Sequence, residues 1–172
     1  MEALENIFTR RSVRSFTDKE ISKQNLETIV RAAVFAPTAR NRQLWRFTVI
    51  TDKAKIQKLA RAIAVELERG EDYDFYNPTA LIITSNEREN PHGIEDCACA
   101  LENIFLAANA LSIGSVWINQ LKGICDVPAI REVLDELSIP SDHLVYGMAA
   151  LGYAAQPPKE LERNSAAVCW VE

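Results

Sequence analysis

Residues 94–112 make up the most apolar segment of the chain and limit its possible architecture more than any other stretch. Ala98, Leu101, Phe105, Ala108 and Leu111 recur at three- and four-residue spacing, with Ala100, Ala107 and Ala110 around the sides. A helix that is apolar on most of its circumference must be covered on most of it, so this one is expected to be central and buried nearly all round. Its small residues let other helices come close. Asn103, inside it, reads either as a buried anchor that needs hydrogen-bond partners or as a mildly exposed residue.

The rest of the chain alternates helices with strands. Leu4, Ile7 and Phe8 predict a short amphipathic helix. Ser22 reads as the N-cap of a helix burying Leu26, Ile29, Val30 and Ala33, stopped by Pro37. Asp52 reads as the cap of another, striped by Ile56, Leu59, Ala60, Ile63 and Leu67, with Gly70 expected as its left-handed terminus. Pro128 opens a third over Ile130, Val133, Leu134 and Leu137. Strands are expected at residues 47–50, with Trp45 as core at the entrance, and at 80–83, 115–119, 144–153 and 167–171. Residues 71–78 are acidic and aromatic, and residues 86–93 form a charged loop. Strands separated by helices without a hairpin turn predict a mixed sheet sandwiched by helices. No G-x-G-x-x-G occurs, so a Rossmann nicotinamide site is not indicated.

The chain has 172 residues, enough for a sizeable core, and residues 1–172 read as one domain. A net charge of -5 argues against a nucleic-acid-binding face. No apolar run approaches the ~20 residues of a membrane helix, and the N-terminus lacks the apolar region of a signal peptide. No membrane association is expected, and a cytoplasmic location is. Cys97, Cys99, Cys125 and Cys169 are too sparse for a disulfide framework and read as reduced thiols. His92 with Cys97 and Cys99 lacks the spacing of a zinc knuckle, so no metal site is expected, and both cysteines read as small apolar residues. Both histidines read as surface or loop residues.

Two polar stretches carry chemistry. In Arg10-Arg11-Ser12-Val13-Arg14-Ser15-Phe16, three arginines and two hydroxyls precede any long apolar segment. Arginine forks and serine hydroxyls suit phosphate oxygens, while the other reading is a solvated basic turn. The second stretch is Ala36-Pro37-Thr38-Ala39-Arg40-Asn41-Arg42-Gln43-Leu44-Trp45-Arg46-Phe47, between a helix and a strand.

Together these stretches resemble the nitroreductase family of flavin enzymes, which opens with arginine-arginine-serine-x-arginine. About thirty residues later that family has a proline-serine/threonine loop running into asparagine-x-glutamine-proline-tryptophan. Leu44 stands where proline is usual, while Asn41, Gln43 and Trp45 match. Further matches are Leu101-Glu102-Asn103-Ile104-Phe105-Leu106-Ala107-Ala108, Ile113-Gly114-Ser115-Val116-Trp117-Ile118, and Leu151-Gly152-Tyr153 followed by Pro157-Pro158-Lys159.

The resemblance implies a three-layer α/β/α, α+β fold with a mixed sheet of four or five strands, forming a homodimer whose interface includes the alanine-rich helix. It implies FMN as cofactor, NADH or NADPH as electron donor, and a nitroaromatic, quinone or similar small electron acceptor, reduced in a ping-pong cycle. Arg10, Arg11, Ser12 and Arg14 would bind the FMN phosphate and ribityl chain, and Lys159 or Arg163 would add a second cation. Glu160-Leu161-Glu162 separates those two, where the family places its cations close together. Pro37, Thr38 and Ala39 would line the cofactor from the other subunit, and Asn41 would hydrogen-bond the flavin ring. Asn119 and Gln120 would sit near its reactive edge. No side chain is expected to act as acid or base. The segment near residues 71–78 is short for the family, so a lid over the flavin is expected to be reduced or supplied by a partner. A flavin-binding sensor or carrier without turnover, and a dimerisation domain without cofactor, are the alternative readings.

Overall fold

The computed structural model describes residues 2–158 and 161–171. Helices α1 (Ala3–Thr9), α2 (Lys23–Val34), α3 (Lys53–Glu66), α4 (Gly93–Ala110) and α5 (Pro128–Glu136) surround strands β1 (Trp45–Ile50), β2 (Ala80–Glu87), β3 (Gly114–Ile118) and β4 (His143–Gly152). The sheet order is β1-β2-β4-β3. One core, with Ile29, Ala80, Ile82, Leu101, Ile104 and Ala149, lies between the sheet and α2 with α4. The other, with Ile63, Leu81, Ile83, Val116, Leu134 and Met148, lies between the sheet and α3 with α5. The three-layer α+β expectation is met by this arrangement.

The sheet is not mixed: β1–β2, β2–β4 and β3–β4 all pair antiparallel. The reason lies in the excursion between β1 and β2. Ile50, the last residue of β1, pairs with Leu81 at the start of β2, so α3 and residues 67–79 leave and return at the same end of the sheet. A single crossover helix would have delivered a parallel strand. Phe75, completely buried, pins that return segment into the α3/α5 core.

Caps follow the residue chemistry. The Ser22 hydroxyl accepts from the Asn25 N–H, and the Asp52 carboxylate accepts from Ala54 and Lys55. The C-termini differ from expectation, because Gly70 is not the left-handed residue of α3. Glu68, Ser112 and Ser138 hold that conformation after α3, α4 and α5, with φ of 49°, 58° and 60°. The following amides of Arg69, Ile113 and Ile139 reach back to the carbonyls of Ala64, Ala108 and Leu134, closing three Schellman motifs without glycine. Ile113 and Ile139 then bury beside Ala108 and Leu134, an apolar contact that helps offset the left-handed backbone.

α4 is less enclosed than its sequence implies. Eight of its eighteen residues are buried, whereas Ile94, Cys99, Glu102 and Ala110 are exposed. Asn103 is an anchor, its amide donating to the Ala32 carbonyl at 2.9 Å. α1 docks on α4 through polar atoms. The Asn6 amide donates to the Leu106 carbonyl, and Asn109 donates to Asn6, which leaves Leu4, Ile7 and Phe8 more than half exposed. The expected last strand also fails to form. Residues Ser165–Ala167 make a 3-10 turn capped by Asn164, and Val168, Trp170 and Val171 stand exposed. A strand needs a partner for its amides and carbonyls, and this segment pairs with no strand among the described residues.

Candidate functional site

After α1 the backbone extends and crosses the end of the sheet where β3 begins and β4 ends. The Val13 amide donates to the Ser115 carbonyl at 2.9 Å, Thr17 to Tyr153 at 2.8 Å, and Ala155 to Ser15 at 2.9 Å. Ser12 bridges to Ser115 and Phe16 to Ala154. Glycines make this close approach possible. A Cβ on Gly114 would lie 2.9 Å from the Val13 Cβ, and one on Gly152 would lie 2.8 Å from the Phe16 ring.

The three arginines of this segment have different surroundings. Arg10 is half-buried, its Nε 3.4 Å from a Glu102 carboxylate oxygen. Arg11 donates through Nη1 to the carbonyls of Phe8 and Arg10, satisfying backbone acceptors at the end of α1. Arg14 is exposed and, among the described residues, its guanidinium makes no ion pair or hydrogen bond. A cleft of about 410 Å³ runs along Arg11, Ser12, Arg14 and Ser15, and its far wall is Pro157, Pro158 and Leu161. A small recess of about 150 Å³ adjoins Arg10, Ser12, Ser115 and Trp117. The predicted Arg11, Ser12 and Arg14 therefore face the loop after β4 together, whereas Arg10 turns to the recess beside α4 and β3. Arg163 is exposed and does not line the cleft, and Lys159 lies outside the described residues. Leu161, missed in the sequence, is where the late loop meets the arginines; the adjoining proline pair is its sequence signal.

The second predicted segment lies elsewhere. Pro37 is exposed, Thr38 and Ala39 are half-buried, and Ala39–Asn41 form a 3-10 turn. Arg40, Asn41 and Gln43 have φ of 54°, 54° and 53°. Each non-glycine left-handed residue costs about 1–2 kcal/mol, so the turn needs restraints. Inside it, the Gln43 amide nitrogen donates to Asn41 Oδ1, and the Gln43 backbone donates to the Thr38 hydroxyl. To the rest of the fold it is tied by a buried carboxylate on α4, Asp96, which accepts the Ala39 N–H at 2.9 Å.

Asn119 and Gln120 follow the other end of β3. Asn119 is exposed, and the Gln120 Oε1 is buried without a hydrogen-bond partner. At about 3.3 Å per residue, Asn119 is roughly 13 Å along the strand from Ser115. An elongated ligand with an anionic end and a polar planar end would need donors separated in this way.

α4 separates the arginine segment from the left-handed turn. Asp96 and Glu102 are six residues apart, which is about 9 Å along a helix and about a third of a turn around it. The arginine cleft accordingly contains no residue of the 37–41 turn. A larger groove of about 670 Å³, lined by Ile21, Leu26, Val30, Val49, Thr51 and Thr79, runs beside β1, an edge strand. No predicted site residue lines it.

Buried titratable groups cluster away from the arginines. His143 is nearly buried at the start of β4, not on the surface as expected, with Nδ1 3.1 Å from the Ser85 hydroxyl. Burial depresses its pKa. Burial pushes the Cys97 thiol up to about 12, which makes it inert as a nucleophile. Among the described residues, no three His, Cys, Asp or Glu side chains converge on a metal-sized site, and no helix is long and apolar enough to cross a membrane.

The family model that matches is the nitroreductase family, over residues 7–153. An Archaeoglobus fulgidus protein with the provisional name NADH dehydrogenase/NAD(P)H nitroreductase is 36% identical across 88% of this chain and 85% of its own length. A Bacillus subtilis FMN reductase [NAD(P)H] is 24% identical, covering 81% of this chain but 60% of the relative. Among solved structures, a Bacteroides fragilis nitroreductase with bound FMN superposes with a TM-score of 0.93, at 36% identity and full coverage of both chains. The family match spans the arginine segment, the left-handed turn and the whole sheet, and the chain belongs to the nitroreductase family.

Proposed function

We propose that this chain is an FMN-dependent NAD(P)H oxidoreductase that works as a homodimer and reduces nitroaromatics, quinones or similar small acceptors. The observation that carries this reading is the cleft in which Ser12 and the uncommitted Arg14 meet the loop after β4. Its donors fit a phosphate: a planar cation, hydroxyls and backbone held rigid by the sheet end. Bound FMN would supply the redox chemistry, taking a hydride from the nicotinamide and passing electrons to the acceptor. Arg10, Arg11, Ser12 and Arg14 would hold its phosphate and ribityl chain, with Lys159 or Arg163 as a second cation. Asn41 would hydrogen-bond the ring, Pro37, Thr38 and Ala39 would line it, and Asn119 and Gln120 would supply polar groups near its reactive edge. Amides and N–H donors suit a ring edge where negative charge develops.

Dimerisation explains why these residues do not share one cleft in a single chain. Two-fold symmetry places the turn of one copy against the arginines of the other and creates two equal sites. The exposed stripe of Leu4, Ile7 and Phe8 beside the open face of α4 supports this arrangement. The tail bearing Val168 and Trp170 has a suitable seat in the groove along β1 of the other copy. Such a protein belongs in the cytoplasm, where nicotinamides are abundant.

The test is the visible spectrum of the purified protein, followed by anaerobic mixing with NADH and NADPH. A yellow protein bleached by either donor is expected. A colourless protein that FMN cannot reconstitute would remove the enzyme reading. Since one flavin face serves donor and acceptor in turn, double-reciprocal plots should be parallel; intersecting lines would contradict the ping-pong cycle. Light scattering should give a dimer, weakened by deletion after Asn164, and a stable FMN-loaded monomer would end the dimer reading.

A further inference from the structure

We propose that Asp96 is the positioning residue of the flavin turn: its buried carboxylate holds Ala39 and thereby the left-handed backbone that presents Asn41. The inference rests on the reading that residues 37–41 line the flavin. Asp96 is 3% exposed, and both carboxylate oxygens are engaged. Oδ1 accepts the Ala39 N–H at 2.9 Å, and Oδ2 accepts from the Asn90 amide at 3.1 Å. The same Asn90 amide donates to Asn86 Oδ1 at 3.0 Å, and Asn90 Oδ1 accepts the His92 N–H. The turn is thus connected through Asp96 and Asn90 to Asn86 in β2, inside the sheet. No cation pairs with Asp96 among the described residues. A buried carboxylate without a counter-charge is expensive, and its place in the first turn of the eighteen-residue α4 offsets part of that cost.

The turn has reason to need this restraint. Three left-handed non-glycine residues within four positions persist only where surrounding structure holds them. The other hydrogen bonds of the turn are internal to residues 38–43, so they set its shape but not its place. Asp96 sets its place. Asn41 lies two residues beyond Ala39, and a turn pivoting on its ends would carry that amide away from a ring it has to meet at hydrogen-bond distance.

The test compares the FMN-loaded wild type with Asp96→Ala and Asp96→Asn, each at saturating FMN. Amide hydrogen exchange is read at Ala39 in these loaded proteins, and FMN and riboflavin affinities are read by fluorescence titration of the same proteins after their flavin has been removed. In Asp96→Ala, Ala39 exchange should quicken at least tenfold, and both flavins should bind roughly tenfold more weakly, because the turn meets the ring and not the phosphate. Asp96→Asn keeps an acceptor at Oδ1 but turns its NH2 toward the Asn90 NH2, so it should recover Ala39 protection and flavin affinity in part, to severalfold above Asp96→Ala. If Asp96→Ala does not fold, Ala39→Pro tests the same bond from the other side. It deletes the donor, and the extended Thr38 (ψ 152°) tolerates a following proline. It should weaken both flavins alike. Unchanged Ala39 exchange in Asp96→Ala would overturn the tether itself. Faster exchange with unchanged flavin affinity would overturn the positioning role by removing the turn from the flavin site. Losses that Asp96→Asn fails to rescue even in part would also overturn it, assigning Asp96 to general stability.

Discussion

The arginine segment and the 37–43 turn are both short and polar and lie outside the α-helices and the four strands, yet they are held in opposite ways. Residues 10–17 are extended and fastened to the sheet end by backbone hydrogen bonds at Val13, Ser15 and Thr17. The turn contains three left-handed residues and is fastened to the fold by one side chain. Backbone bonds do not depend on which side chains a segment carries, so the arginine segment should keep its seat when its exposed side chains are exchanged one at a time. The turn has no such redundancy. A ligand-binding segment laid on a sheet should lose affinity one contact at a time, and one held by a tether should lose it as a unit.

The largest effect should come from attacking the backbone seat of the arginine segment. In the double variant Gly114→Ala/Gly152→Ala, the new methyl groups meet Val13 and Phe16 at under 3.0 Å. Overpacking costs about 1–3 kcal/mol at each site, which in a domain of this size lowers the melting temperature by roughly 5–20 °C. FMN binding should fall with it. A variant that melts and binds like the wild type would show that the segment is not seated on the β3–β4 end.

Next in size, Arg14→Gln should cost roughly tenfold to a hundredfold in FMN affinity, from the about 1.5–3 kcal/mol of a charge-assisted hydrogen bond. Riboflavin, lacking the phosphate, should bind nearly as before, and added salt should shrink the FMN difference. Arg31→Gln, an exposed position on α2, serves as the control and should change little. Equal losses for both flavins would assign Arg14 to the fold. Asn41→Ala should give the opposite signature at smaller size, a loss of about twofold to tenfold shared equally by FMN and riboflavin. A loss confined to FMN would place Asn41 at the phosphate and erase the distinction between the two segments.

The smallest effect concerns pH. Burial holds the His143 ring neutral, with a pKa below the ordinary value of about 6.5. Below pH 6.5 the unfolded chain takes up a proton that the native ring refuses, so stability falls as pH drops from about 6.5 through the native pKa. His143→Gln should flatten that part of the profile, measured as urea midpoints at pH 5 and pH 7. An unchanged profile would mean that the acid sensitivity lies in other groups.

Much of the fold could be read locally. The caps at Ser22 and Asp52, the stripes of α2, α3 and α5, and the core role of Trp45 follow from side-chain chemistry and spacing. The clustering of arginines and serines over residues 10–15 was legible for the same reason, since it is carried by the residues themselves. Less legible were the buried polar residues Asn86, Asn90 and His143, which the sequence places in a charged loop or at the surface and the structure buries. Polarity reports the usual environment of a residue, not the partners that would let it be buried.

The residue order by itself determined the five helices, four of the five expected strands, and which side chains are suited to an anion, because these depend on spacing and on chemistry carried by each residue. Only the tertiary structure decided the strand directions, the left-handed terminators without glycine, and the separation of the arginines from the turn by α4. It also left the tail of residues 168–171 without a strand partner among the described residues. Those outcomes depend on how one segment's backbone returns to meet another's. That is a property of the packed chain, and no local stretch of residues encodes it.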